Sequence, residues 1–307
     1  MEQPRICVIG AANLDLISYV PRLPRLGETL HGSRFHMGFG GKGANQAVMA
    51  AKLGARVSMI TKLGRDVFGE NTLKNFQSWD IDTRHVLFTD RAFSGVAPIA
   101  VDPDGHNAII IVTGANDLLT GEEVEDARPA IAAAQVLVCQ LEIPLPVTLA
   151  AMRLARRLKV PTILNPAPAR SELDPELYSL SDIFCPNESE TELLTGLRVR
   201  SVEEATRAAR LLLERGAGKV ILTLGENGSL LVTEQEALHV PALPVKALDS
   251  TGAGDAYVGS LACFFAAGLA LPEAMRRANH IAAISVQSSG TQSSFPRASE
   301  LPPELLS

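Results

Sequence analysis

The sequence predicts an α/β protein built as a three-layer sandwich, with a mostly parallel central sheet between helices and a small additional β-sheet. Short apolar runs alternate with longer amphipathic segments along the chain. The apolar runs are continuous, which is typical of parallel strands buried on both faces. Two segments interrupt this alternation and favour a separate sheet. Because no linker-like or low-complexity stretch divides the chain, we expect one domain spanning residues 1–307.

The predicted strands and helices follow one another in the order typical of βαβ units. The strands are expected at residues 6–10, 57–61, 136–140, 162–165, 183–185 and 220–224. The helices are expected at 44–53, 67–78, 121–134, 147–158, 188–194 and 202–215. The longest apolar stretch, 256–271, contains two glycines and is shorter than the roughly 20 residues of a membrane span, so we interpret it as a buried helix.

Two irregular segments, at about 15–38 and 92–113, are expected to form the small sheet. The first mixes prolines and glycines with polar residues, and the second contains the turn sequence DPDG at 102–105. We expect antiparallel strands that project from the α/β body. An apolar face on such a sheet would suit a lid over a ligand or a contact between two subunits.

Composition argues against several classes of protein. Lysine and arginine total 28 against 34 aspartate and glutamate, a net charge of −6, which does not suggest a nucleic-acid partner. The four cysteines are far apart in sequence and the histidines lack zinc-site spacing. No signal peptide or membrane segment is predicted, so we expect a cytoplasmic protein with no membrane partner, or a nuclear location if the source is a eukaryote.

The sequence DSTGAGD at 249–255 predicts an anion-binding loop at a helix start. Small residues allow close approach of the backbone, and the first turn of the following helix presents free N–H groups and a positive dipole end. Asp255 at that helix start could accept a proton from an attacking hydroxyl. The alternative is that Asp255 is only an N-cap and the glycines form a tight turn.

A second glycine cluster precedes another predicted helix. Gly38, Gly40 and Gly43 match G-x-G-x-x-G, but they do not follow the first strand of a βαβ unit as a dinucleotide fingerprint does, which argues against a dehydrogenase. No serine or threonine follows Lys42, so the cluster is not a Walker A loop. The helix start, Lys42 and Asn45 together offer donors that suit a polyhydroxylated ligand.

Polar side chains follow several predicted strands. Asn13 and Asp15 come just after the first strand and alternate onto one side of an extended segment, although a simple Asx turn would explain them as well. Polar or glycine residues also follow later strands, at 140–142, 165–169, 186–190 and 223–228. Because ligands of open α/β sheets bind beyond the carboxyl ends of strands, these positions together predict one long crevice.

These motifs resemble those of the ribokinases in the PfkB carbohydrate kinase superfamily. The similarity spans residues 6 to about 296, and 40–47 and 249–255 resemble the two superfamily signatures without a departure at the motif positions. Motifs more specific to ribokinases are Asn13-x-Asp15, NPAPA at 165–169, NESE at 187–190 and GTQSSFP at 290–296, the last closest to animal-type sequences.

The resemblance implies transfer of phosphate from ATP to the 5-hydroxyl of D-ribose. Alternatives are a related sugar or nucleoside kinase acting on deoxyribose or fructose, or a non-catalytic sugar-binding module on the same fold. It also implies Mg²⁺ bound with ATP, K⁺ as an activating cation, and a homodimer formed through the small sheet.

The resemblance further implies roles for individual residues. Asp255 would be the catalytic base, beside an anion-stabilising loop of Gly252, Ala253 and Gly254. The sugar would contact Asn13, Leu14, Asp15, Gly41, Lys42, Gly43, Ala44, Asn45, Glu142 and Asp255. ATP would lie along Asn187, Thr223, Leu224, Gly225, Glu226, Asn227, Gly228, Gly254 and Asn279. K⁺ would be held by Asp249, Thr251, Ser285, Ser288, Gly290 and Ser294, and Glu190 would contact Mg²⁺ through water. Alternatively, Glu190 is a solvated residue of a first helical turn.

Overall fold

A computed structural model describes residues 3–306 and contains two β-sheets. The strands are β1 (Arg5–Ile9), β2 (Asn13–Tyr19), β3 (Arg34–Gly40), β4 (Arg56–Gly64), β5 (Asp82–Thr89), β6 (Gly95–Val101), β7 (Asn107–Ile109), β8 (Val136–Cys139), β9 (Thr162–Leu164), β10 (Ile183–Phe184), β11 (Val220–Thr223), β12 (Ser229–Val232) and β13 (Ala237–Val240). The large sheet has nine strands in the order β13-β12-β11-β10-β9-β8-β1-β4-β5.

The large sheet is parallel from β11 through β5, and β12 and β13 add antiparallel strands at one edge. The predicted α/β fold with a mostly parallel sheet is confirmed. All parallel strands end at the same edge, so the polar residues that follow them are brought together there.

Helices cover both faces of the large sheet. They are α1 (Lys42–Lys52), α2 (Val67–Ser78), α3 (Gly121–Asp126), α4 (Arg128–Ala133), α5 (Leu145–Leu158), α6 (Pro175–Ser179), α7 (Glu188–Thr195), α8 (Val202–Glu214), α9 (Ala253–Ala266) and α10 (Leu271–Ser285). Alternate residues of β1 enter two different hydrophobic clusters, with Ile6 and Val8 in one and Cys7 and Ile9 in the other. This alternation produces the three layers.

Several boundaries differ from the sequence-based prediction. The helix expected at 121–134 is two helices, α3 and α4, and Pro129 lies in the first turn of α4, where its missing N–H is tolerated. The helix expected through residue 271 ends at Ala266, and Gly268 follows with a φ of 85° that favours glycine. Strands β5, β12 and β13 and helices α6 and α10 were not predicted.

The small sheet has four strands in the order β3-β2-β6-β7. The pairs β2–β3 and β6–β7 are antiparallel as expected, but β2 and β6 run parallel, from Asn13 opposite Gly95 to Tyr19 opposite Val101. The expectation of purely antiparallel strands was therefore wrong at the junction of the two segments. A parallel pair arises here because the 92–113 segment is joined to β2 by a long crossover rather than a hairpin.

Within residues 3–306, no helix combines the length and apolar character needed to cross a bilayer.

A close contact between α1 and α9 places the starts of these two helices together. A Cβ atom at Gly259 would lie 2.6 Å from the Gln46 carbonyl oxygen and 2.9 Å from the Met49 Cβ atom. Glycine at this position therefore permits the close approach, and both helices begin at the carboxyl edge of the large sheet.

Candidate active site

The Asp255 carboxylate lies in the first turn of α9 and is held from α1. The side-chain amide of Asn45 donates to its Oδ2 at 2.8 Å, and that of Gln46 donates to its Oδ1 at 2.9 Å. Asp255 is only 6% exposed. The N-cap of α9 is Gly252, not Asp255, so the interpretation of Asp255 as a simple N-cap is wrong. The two amide donors satisfy hydrogen-bond acceptors of this buried side chain and fix its orientation.

A cavity of about 170 Å³ opens beside this carboxylate. It is lined by Lys42, Asn165, Ala167, Cys185, Asn187, Glu190, Thr223, Gly252, Gly254, Asp255 and Val258. The start of α9 forms one wall, and a Cβ atom at Gly254 would meet no heavy atom within 4 Å, so the backbone is accessible there. A helix N-terminus with accessible backbone next to a lysine is suited to phosphate.

Lys42 lies among carboxylates at the boundary of the predicted sugar and nucleotide sites. Its backbone N–H donates to Glu142 Oε2 at 2.8 Å, and its side chain lines the cavity. Burial lowers the pKa of Lys42, but attraction by Asp255, Glu142 and Glu190 exceeds that effect and leaves the pKa raised. Lys42 is therefore a cation that faces the predicted phosphate region as well as the sugar side.

The predicted sugar-contacting residues surround the other side of Asp255. Asn13 and Asp15 share one face of β2, and the side chain of Leu14 between them is buried on the opposite face. The Leu14 backbone lies in the sheet between Phe39 of β3 and Val96 of β6, so the structure does not single it out as a sugar contact. A Cβ atom at Gly40 would lie 2.3 Å from an Asp15 carboxylate oxygen, so glycine makes room for that carboxylate. Asn13 Oδ1 accepts a hydrogen bond of 2.9 Å from Asn116 Nδ2.

The glycine-rich start of α1 has a structural role beside its predicted contacts. Gly41 has a φ of 85°, and a Cβ atom there would lie 2.7 Å from the Ala11 carbonyl oxygen. The Ala44 N–H donates to that same oxygen at 3.0 Å, so this N–H already has a partner within the protein. Gly43 packs directly against the Gly10 backbone, where an added Cβ atom would be 2.7 Å away.

Burial and like charge shift the pKa values of the acidic groups around the cavity. Burial, with added repulsion from Glu142 and Asp255, raises the pKa of Asp15 to about 7. Burial raises the pKa of Glu142 against the opposing attraction of Lys42, and burial also raises the pKa of Glu190. The region is therefore rich in hydrogen-bond acceptors and short of positive charge.

The predicted nucleotide residues form the far end of the crevice. Asn187 caps α7 by accepting from the Glu190 N–H at 2.8 Å, and Glu190 Oε2 accepts from the Asn187 N–H at 2.9 Å. Glu190 is buried and lines the cavity, so its interpretation as a solvated helix residue is wrong. The Asn279 amide donates to the Val240 carbonyl at 2.9 Å and so fastens the segment against which Gly228 packs.

The rest of the nucleotide segment is a short turn between β11 and β12. Its residues Gly225, Glu226 and Asn227 form one turn of 3₁₀ helix, and the Leu224 N–H donates to the Gly228 carbonyl at 2.7 Å. The turn begins beside the cavity because Thr223 at the end of β11 is one of the lining residues.

The residues predicted to hold K⁺ lie in two adjoining loops and at the end of α10, where Ser285 is the last helical residue. Asp249 accepts from the Thr251 N–H and from the Gly290 N–H, each at 2.9 Å. Its own N–H donates to the Val286 carbonyl, next to Ser285. The Ser288 N–H donates to the Ser285 carbonyl, and the Ser294 hydroxyl donates to the Thr291 carbonyl. Burial alone would raise the pKa of Asp249, but the hydrogen bonds from the Gly290 N–H and from the side chain and N–H of Thr251 outweigh this effect and lower the pKa.

A family model described as pfkB family carbohydrate kinase matches residues 3–298. The chain belongs to this family. It is 47% identical over 305 residues to a ribokinase of Mus musculus, covering 98% of this chain and 94% of the mouse protein. It is 43% identical over 291 residues to a deoxyribokinase of Salmonella typhi, covering 95% of each. A structure of Arabidopsis thaliana ribokinase complexed with ribose and ATP matches with a TM-score of 0.93, 29% identity and 99% coverage of both chains. The family predicted from the motifs is confirmed.

Sequence reasoning missed several polar residues that organise the site of this pfkB family member. Gln46 donates to both Asp255 and Asn165, and Gln140 donates to Gln46 Oε1 at 2.6 Å. Gln292 donates to Asn45 Oδ1 at 3.0 Å. The available signal was a glutamine next to an asparagine in the alanine-rich sequence of α1, since a polar side chain on a helix that packs closely requires a partner.

We expect Asp15→Asn to stabilise the unliganded protein more at pH 8 than at pH 5. The folded-state pKa of about 7 exceeds the ordinary value of 3.8, so the native protein binds the extra proton and the carboxyl increasingly opposes folding as pH rises through that window. The gain in melting temperature of Asp15→Asn over the wild type should grow with pH. Asp126→Asn, at an exposed position, controls for the loss of a carboxyl group. A gain that is the same at both pH values would contradict the prediction.

Proposed function

We propose that this chain catalyses transfer of the γ-phosphoryl group of ATP to the 5-hydroxyl of D-ribose, giving D-ribose 5-phosphate and ADP. The observation that carries the proposal is the Asp255 carboxylate at the start of α9, buried between an acceptor-rich sugar side and a phosphate-sized cavity. The 47% identity to a mouse ribokinase over nearly the whole chain supports ribose as the substrate.

In the proposed reaction, Asp255 acts as the base. Its Oδ1 and Oδ2 each accept one amide hydrogen bond, and each retains a lone pair that can take the hydroxyl proton. As the hydroxyl oxygen bonds to the γ-phosphorus, its proton passes to the carboxylate and the bond to the leaving ADP oxygen breaks. The backbone N–H groups near Gly252 and Gly254 and the Lys42 ammonium stabilise the charge on the transferring group.

Mg²⁺ fits the donor set beside this cavity as a water-separated ion. Glu190 Oε2 is occupied by the helix cap, so its other oxygen remains to accept from a metal-bound water. Mg²⁺ retains several waters and binds through nucleotide phosphates, so a cage of carboxylates is not required. When bound with ATP, it supplies neutralisation of phosphate charge.

K⁺ binding at the loops around Asp249 and Gly290 is proposed on their chemistry. Carboxylate, hydroxyl and carbonyl oxygens are hard donors that suit such a cation. The two loops flank the start of α9, because Thr291 packs against Gly252, where a Cβ atom would lie 2.5 Å from the Thr291 methyl carbon. An ion there would stabilise the anion-binding turn.

A homodimer through the small sheet is supported by its exposed apolar side chains. Phe35, Met37 and the run Ile109, Ile110, Ile111 and Val112 are each at least 47% exposed. Such a concentration of apolar surface favours burial against a second copy. The cytoplasm is the proposed compartment, since it supplies ATP and since all four cysteines are free and buried, as in a reducing environment.

A deoxyribose kinase is the second candidate because of the 43% identity to a deoxyribokinase. The two sugars differ in one hydroxyl, and a site that bonds that hydroxyl rejects the analogue that lacks it. The acceptors Asn13, Asp15 and Glu142 surround the sugar side and would make this distinction. A non-catalytic sugar-binding module is disfavoured because it has no need of a buried carboxylate at the phosphate cavity.

The substrate proposal is tested by steady-state kinetics with MgATP and a panel of ribose, 2-deoxyribose, fructose and adenosine. We expect ribose to have the highest kcat/KM. A higher value for 2-deoxyribose would establish the second candidate, and no phosphorylation of any of the four would overturn the kinase proposal.

Asp255→Asn should lower kcat by about 10²–10⁴-fold while ribose and ATP still bind. The amide preserves the size of the side chain but cannot accept the hydroxyl proton. Isothermal titration of each ligand controls for misfolding, and an unchanged kcat would remove Asp255 from the mechanism.

Replacement of K⁺ by Na⁺ at constant ionic strength should lower kcat, because the smaller ion fits a site of fixed oxygens less well. Asp249→Asn should reduce the difference between the two salts. Equal rates in K⁺ and Na⁺ for the wild type would contradict the cation proposal.

A further inference from the structure

Two chains of buried amide side chains converge on Asp255 from opposite sides. One chain runs from Gln292 through Asn45 to Asp255 Oδ2, and the other from Gln140 through Gln46 to Asp255 Oδ1. All four amides are at most 6% exposed. Each amide has one donor end and one acceptor end, so its orientation is determined by what its two neighbours offer.

The first chain is consistent at every link. A carboxylate only accepts, so the Asn45 nitrogen must face Asp255 and its Oδ1 must face away. That oxygen accepts from Gln292 Nε2 at 3.0 Å, and Gln292 Oε1 in turn accepts from Asn75 Nδ2 at 2.9 Å. Lys52 fixes the Gln292 backbone by donating to its carbonyl at 2.6 Å.

The second chain follows the same rule as far as Gln46. The Gln46 nitrogen donates to Asp255 and to Asn165, so its Oε1 must be satisfied by a donor. Gln140 Nε2 is that donor, at 2.6 Å, whereas Gln140 Oε1 is buried and accepts no hydrogen bond from the described residues. A Cβ atom at Gly10 would lie 2.0 Å from Gln140 Oε1, so glycine at the end of β1 makes the approach of Gln140 to Gln46 possible.

We propose that Gln140 and Gln292 are positioning residues for the base: each holds the amide in front of it in the orientation that donates to Asp255. Neither touches the carboxylate itself. Without Gln292, the buried Asn45 oxygen loses its donor and the amide is held at its nitrogen end only, so Asn45 can shift and misplace the carboxylate relative to the sugar hydroxyl. The inference rests on the proposed function, because it concerns the step at Asp255.

Gln292 also connects the base to the loops proposed to hold K⁺. It lies between Gly290 and Ser294 and is preceded by Thr291, which packs against Gly252. The same short loop therefore contacts the anion-binding turn through Thr291 and the base through Asn45. The geometry explains how an ordered loop at residues 290–294 contributes to the reaction from outside the sugar site.

The test is a double-mutant cycle on kcat. Gln292→Met should lower kcat at least about tenfold in the wild-type background, because loss of a correctly oriented bond to a charged group misplaces the base. In an Asn45→Leu background the same change should cost less than about twofold, since the residue through which Gln292 acts is gone. For the second chain, Gln140→Met should likewise lower kcat in the wild-type background and cost less than about twofold in a Gln46→Leu background.

Gln135→Met is the matched control. Gln135 also donates one hydrogen bond and accepts one, to the Ala266 carbonyl and from the Arg5 N–H, but far from the base. Its kcat should stay within about twofold of wild type. If Gln292→Met is unstable in thermal melts, Gln292→Glu serves instead, because it retains the acceptor for Asn75 and lacks the donor for Asn45.

The outcomes separate this inference from the proposed function. Equal losses in both backgrounds, or losses no larger than that of Gln135→Met, would overturn the positioning role while the wild type remains a ribose kinase. Failure of the wild type to phosphorylate ribose would instead overturn the proposed substrate, and the cycle would be measured with the best substrate of the sugar panel.

Discussion

The close crossing of α1 and α9 is the constraint on which the site depends. Asp255 precedes Gly259 by one helical turn, so the point where the helices touch is directly below the point where the carboxylate meets Asn45 and Gln46. Any side chain at Gly259 would separate the helices against the backbone of Gln46. The two helix starts, one carrying Lys42 and the other preceded by the glycine turn proposed to bind phosphate, therefore reach the same edge of the sheet together.

Charge divides this site into two halves that suit different parts of the reactants. Asp15 and Glu142 make the sugar side rich in acceptors, whereas Lys42 and the α9 N-terminus favour phosphate. A neutral sugar can satisfy such acceptors with its hydroxyls, but a sugar already carrying a phosphate or carboxylate would meet repulsion there.

The sequence predicted the parts of this structure that repeat a regular pattern. Continuous apolar runs identified the parallel strands, and glycine clusters before helices identified the turn that precedes α9 and the start of α1. Local pattern could not predict that Gln46 and Asn45 face Asp255, since 210 residues separate Asn45 from its partner and the contact depends on the helix crossing. Likewise, the parallel pairing of β2 with β6 is a tertiary arrangement that two hairpin-like segments do not reveal.

The attachment of the small sheet would make the proposed sugar contacts sensitive to the position of that sheet. Strand β2 begins at Asn13, so Asn13 and Asp15 belong to the small sheet, whereas Asp255 belongs to the α/β body. Asn116 joins the two parts: its Oδ1 accepts from the Ala12 N–H, and its Nδ2 donates to Asn13 Oδ1 and to the Thr113 carbonyl. One buried amide thus fastens the start of β2 to the end of the 92–113 segment, at the place where both leave the body. If the sugar is bonded from both parts at once, as we propose, the orientation of the small sheet would determine whether a bound hydroxyl reaches the base. Contact with a second subunit on that sheet would then act on catalysis through the same attachment.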